Sequence, residues 1–177
     1  MSRNPLHLGL VLALLVGAAC VLGGATRARA DADPPSIEPV VVPATSALAG
    51  PPAVTVVRAW DDARAEAWAR GDPRRLAALY TPASGAGRRD VAMLRTWTAR
   101  GLVVRGLRTQ LLSVRELGRT LTIWTLLVTD RLAGGVAVGH GERRPLPRDG
   151  VSVRTVGLRL LDGRWRVAAV LPGEVGR

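Results

Sequence analysis

The feature that most constrains this chain is a change of hydrophobic period at Gly101. Before it, apolar residues recur at intervals of three and four, and after it they alternate in long runs rich in Val, Leu, Ile and Thr. A period near 3.6 belongs to helices and a period of 2 to strands, so the chain divides into a helical half and a sheet half. In AVTVVRAWDDARAEAWARG, the residues Val57, Trp60, Arg64, Ala67 and Trp68 form one stripe, while Asp61, Asp62, Glu66 and Arg70 fall on the other faces. Gly71 suits a helix end that requires positive φ. Asp72 is placed to cap the next helix and Pro73 to occupy its first position, where a missing N–H costs nothing. Leu76, Leu79 and Tyr80 give that second helix its apolar side. The Arg70-Gly71-Asp72 tripeptide thus reads as helix punctuation, not as an adhesion ligand.

After the turn-rich TPASGAG, Asp90 reads as the cap of a third helix, DVAMLRTWTAR, with Val91, Leu94, Trp97 and Thr98 facing inward and Gly101 closing it. Two long strands follow, LVVRGLRTQLLSVREL and TLTIWTLLVTDRL, joined by a turn at Gly118-Arg119. AGGVAVGHGERRPLPRDG reads as a loop. VSVRTVGLRLL and RWRVAAVL then form a hairpin on Asp162-Gly163, with Trp165, Val167, Ala169 and Leu171 alternating inward. Helices first and antiparallel strands afterwards predict an α+β domain over residues 53–177, its sheet curling around the helices.

Residues 1–52 read differently. Leu6 to Gly24 is an uncharged apolar run behind a single Arg, and Ala28 and Ala30 supply the small residues a leader peptidase requires, so residues 1–30 are expected to be an export signal. The run is also about 20 residues long, enough to span a bilayer if retained. Cys20, the only cysteine, offers lipidation as a third outcome, although Gly17 stands where a lipobox carries a large aliphatic. Residues 31–52, rich in Pro and Ala, read as an extended linker. The expected location is extracytoplasmic, either secreted or anchored at the outer face of the cytoplasmic membrane.

All 25 basic residues are Arg, and heavy use of Ala, Gly, Val and Pro accompanies this, a bias of the kind GC-rich actinobacterial genes impose. The net charge of +11 is therefore partly compositional. Nucleic acid is not expected as a partner, because the leader directs the chain away from it and no aromatic residues interleave with the arginines as stacking platforms. The two histidines, His7 in the leader and His140 in a Gly-rich stretch, give no metal cluster. GGVAVGHG lacks the strand-to-helix context of a nucleotide loop. No metal and no cofactor is expected.

Helix, Gly71-Asp72, a helix ending in Leu79-Tyr80, a short third helix and long hairpins ending in Asp162-Gly163-Arg164-Trp165 together resemble the NTF2-like superfamily, which includes SnoaL-like proteins and steroid isomerases. The resemblance covers about residues 54–171 and implies a cone of helices on a curved antiparallel sheet. In the isomerases a tyrosine on the first helix and an acid after the second do the chemistry. Laid on Gly71-Asp72, those positions are Arg64 and Arg88, and an arginine cannot serve as a general base. The resemblance therefore implies no catalytic residues here. Pocket candidates are Trp68, Tyr80, Trp97, Trp124 and Asp130; the last shares a strand face with Trp124, Leu126 and Val128 and is expected to pair with Arg131. The expected function is noncatalytic binding of an envelope protein partner or an apolar small molecule, with homodimerisation through the outer sheet face implied by the resemblance. The alternatives are a small acid-base enzyme using Asp130 and an Arg-mediated binder of anionic lipid or cell-wall polymer.

Overall fold

In the computed structural model, residues 50–173 are described. The chain divides into units Met1–Ala47 and Leu48–Arg177, and every element below lies in the second. The leader, the apolar run 6–24, Cys20, His7 and all but the last residues of the linker lie outside the described residues. Helix α1 (Ala53–Arg70) starts directly after Pro52 and ends on Gly71, at φ 63°, where backbone N–H groups return to the carbonyls of Ala67 and Trp68. Asp72 caps α2 (Pro73–Ala77), its carboxylate accepting from the N–H groups of Arg74 and Arg75 at 3.0 and 2.9 Å. The capping reading of the tripeptide holds. Arg70 lies on the surface in an ion pair with Glu66 one turn earlier.

The start of the third helix differs from expectation. α3 (Gly85–Ala99) begins five residues earlier, with Ser84 as its cap bonding the Gly87 N–H, and Asp90 sits buried within the helix. Asp90 shares the inner face with Leu94 and Trp97, so its carboxylate is turned to the core rather than to a helix end.

The sheet is antiparallel, in the order β1-β2-β4-β5: β1 (Val103–Arg119), β2 (Ile123–Gly139), β4 (Ser152–Leu161) and β5 (Arg164–Pro172). A four-residue strand, β3 (Glu142–Pro145), pairs with the far end of β2. The segment expected to be a loop is therefore largely sheet. β2 runs on to Gly139, and a tight turn at His140-Gly141, both at positive φ, folds back into β3. Glycine-rich composition hid this, because Gly134, Gly135 and Gly139 weaken the strand pattern without breaking the ladder. The first hairpin turn lies at Thr120–Thr122 rather than at Gly118-Arg119, held by Thr120 Oγ1 accepting from the N–H groups of Thr122 and Ile123.

Trp124, Leu126, Val128 and Asp130 alternate inward on β2, as expected, and are buried, as are Leu158 of β4, opposite Trp124, and Val167 of β5. On β5 the alternation fails after Val167. A register shift opposite Gly157/Leu158 turns Ala169 and Leu171 outward, and Leu171 is exposed. Bulges on β1 leave Leu112 and Leu117 outside the pairing, both exposed; such bulges bend an edge strand and discourage further pairing. The other edge is covered by the chain after α2, where Tyr80 bridges Val167 in parallel.

Candidate functional site

The polar groups of the interior gather around Asp90. Arg64 stands in the apolar stripe of α1, and its position there places a guanidinium in the core, where an unpaired cation is costly. Asp90 meets it from α3, accepting from Arg64 Nε at 2.7 Å and from a terminal guanidinium nitrogen at 2.9 Å. Trp68 Nε1 donates to the same carboxylate at 3.2 Å and the Tyr80 hydroxyl at 2.7 Å. Four donors fill the acceptor sites of one carboxylate. Burial disfavours the Arg64 cation, but the Asp90 charge and hydrogen bonds outweigh this and raise its pKa. Burial first, and the Asp90 charge second, push the Tyr80 hydroxyl well above the ordinary phenol range, so Tyr80 acts here as a fixed donor.

A second polar group lies on the paired strands β2 and β4. Asp130, 4% exposed, accepts from Ser152 Oγ at 2.8 Å and pairs with Arg154. This corrects the expected pairing with Arg131, whose side chain bonds Gln110 across the hairpin. Residues adjacent on a strand point to opposite faces, so the cross-strand Arg154 reaches Asp130 and the neighbouring Arg131 does not. The Nε of Arg154 is buried and unpartnered among the described residues. Asp61, read from the sequence as part of an outer face, instead accepts from Thr109 Oγ1 at 3.0 Å. Burial raises its pKa, with the charges of Asp130 and Asp62 adding and Thr109 and Arg64 opposing.

Of the five pocket candidates, Trp68, Tyr80 and Trp97 come together. Trp68 and Trp97 stack edge to face with centroids 5.8 Å apart, and Trp68 and Tyr80 share Asp90. Trp124 belongs to a different cluster, against Trp165 at 5.4 Å, and Asp130 to the Arg154 pair. Trp68 and Trp124 are each 1% exposed and fill the interior. Asp90 and Asp61 were not anticipated; the signal for Asp90 was Arg64, a cation inside an apolar stripe that requires an acid from another element. Arg88 is exposed and bonds the Ala83 carbonyl. His140, also exposed, lies 2.6 Å from the Arg100 carbonyl through Nε2, tying the β2–β3 turn to the end of α3.

No protein-family model matches the sequence, and no curated protein does. Among solved structures, an NTF2-like family protein of Streptomyces avermitilis is 21% identical, over 69% of this chain and 97% of that one, with a TM-score of 0.44. An NTF2-like protein of unknown function from Shewanella oneidensis is 13% identical, over 68% and 98%, with a TM-score of 0.41. The intermembrane space region of the chloroplast protein ARC6 is 12% identical, over 67% and 93%, with a TM-score of 0.49. Three leading helices on an antiparallel sheet ordered β1-β2-β4-β5 make the architecture that the motifs implied. The fold is α+β, with helices packed on an antiparallel sheet. In this domain the Asp90 network joins α1, the end of the α2 segment and α3, while the Asp130 pair fastens β2 to β4. No helix among the described residues is long and apolar enough to cross a membrane.

Proposed function

We propose that this domain is a noncatalytic binder, carried outside the cytoplasm, that takes a partner protein or an apolar small molecule. One observation carries the reading: the carboxylates of Asp90 and Asp130, the two most buried acids among the described residues, each have an arginine as partner. A general base needs a free lone pair within reach of a substrate proton, and Asp90 has all its acceptor sites filled by protein donors. Exposed Leu112, Leu117, Leu121, Ile123 and Leu171 supply apolar contact area for a partner. The apolar leader supports export.

Native mass spectrometry of the full chain with whatever copurifies tests this. The expected result is a bound protein or apolar compound that leaves the domain chemically unchanged, at equal occupancy in wild type and Asp130→Asn. A copurified carbonyl compound that turns over in wild type alone would replace the reading.

Asp61 favours a second reading, an acid-base enzyme. Its raised pKa beside Asp130 is the kind of perturbation that equips a carboxylate for proton transfer. Turnover lost in Asp61→Asn, with folding intact, would support it.

A further inference from the structure

We propose a binding site outside both interior networks: a hollow beside the β1–β2 turn that takes a small anion carrying a short apolar tail. The proposal rests on the reading of this domain as a binder and gives one ligand class to it. The hollow, of about 220 Å³, is lined by Pro51, Arg119, Thr120, Leu121, Leu160 and Trp165. Among the described residues that line it, Arg119 alone carries a charge. That guanidinium lies over the ring of Trp124, 4.0 Å from the centroid, and 5.9 Å from the centroid of Trp165. Stacking on an indole holds the plane of the guanidinium and leaves the N–H groups at its edge for an acceptor.

No acceptor is supplied by the described residues. Arg119 has no ion pair among them, and its Nε is shielded from water with no hydrogen-bond partner. Glu116, three residues earlier on the same strand, is held by the indole N–H of Trp124 at 2.7 Å. A shielded guanidinium donor without a partner is unfavourable until it is satisfied, and the groups that match its fork are carboxylate and phosphate. The remaining wall is apolar: Pro51, Leu121, Leu160 and Trp165 suit an aliphatic tail. The volume falls below the roughly 300 Å³ at which pockets for drug-sized ligands begin, which restricts the tail to a few carbons. Leu121, 75% exposed, stands at the rim where a longer tail would leave.

Tryptophan fluorescence of the full chain, titrated with hexanoate, hexyl phosphate, hexanol and acetate, tests the site. Saturable quenching by hexanoate or hexyl phosphate, at least tenfold tighter than by hexanol or acetate, is expected, and the stronger of the two anions identifies the headgroup. Arg119→Gln should weaken the anion at least tenfold, Arg119→Lys less so, and Arg144→Gln on β3 not at all. Hexanol binding as tightly as hexanoate would overturn anion recognition, a comparison that needs only wild-type protein and stands even if Arg119→Gln fails to fold. Unchanged anion binding in folded Arg119→Gln would place the site elsewhere. Absence of quenching by every probe would overturn the proposal, while the copurification result would still decide separately whether the domain is a binder.

Discussion

At the scale of single residues, Arg70 and Asp72 differ sharply although two positions apart. Asp72 satisfies two N–H groups at the start of α2, so Asp72→Ala should lose about 1 kcal/mol in chemical denaturation. The exposed Arg70–Glu66 pair is worth at most about 0.5 kcal/mol, and Arg70→Ala should barely register. Asp61 brings a pH dependence of definite sign. Its folded-state pKa is raised above the unfolded value, so the folded state holds the proton more tightly. The native state is therefore favoured while Asp61 is protonated, and this advantage is lost as pH rises from the unfolded carboxylate pKa through the raised folded one. Asp61→Asn keeps an acceptor for Thr109 without the charge, so its melting temperature should exceed that of wild type above this window and match it below. A variant less stable than wild type at neutral pH would contradict the assignment.

At the scale of elements, α3 lies so close to the Tyr80 segment that Gly87 has no room for a side chain; a Cβ there would stand 2.5 Å from the Tyr80 ring. Alanine is the better helix former by about 1 kcal/mol, yet Gly87→Ala should destabilise by about 1–3 kcal/mol through overpacking. Urea unfolding of the two proteins decides the sign. Such contacts also mark what the sequence could and could not disclose. The Gly71, Asp72, Pro73 and Asp162-Gly163 assignments depend on backbone geometry within a few residues, and all were legible. The inward face of β2 was legible too, because alternation is local. Asp90 was misread as a cap because its partner Arg64 is 26 positions away and only packing brings the two together. Asp130 was given the wrong arginine for the same reason, since strand register, not sequence adjacency, selects Arg154. The β2–β3 hairpin was missed because its glycines carry no side chains to show a period.

At the scale of the whole molecule, the sheet half and the helical half each hold an ion pair on a buried carboxylate, Asp130–Arg154 across strands and Asp90–Arg64 across helices. Residues 53–177, expressed without the preceding segment, should fold cooperatively and remain soluble; a molten spectrum lacking near-UV signal would show that something outside the domain completes its core. The claim on which the functional reading depends is that the Asp90 network is structural, and equilibrium unfolding of Asp90→Asn measures it most directly. Removing the charge leaves the Arg64 cation in the interior without its hydrogen-bonded counter-ion, so a loss of about 3–5 kcal/mol is expected. Residues kept for chemistry are commonly held at a cost to stability. An Asp90→Asn variant as stable as wild type, or more so, would contradict the structural role and return Asp90 to the list of groups that a reaction could use.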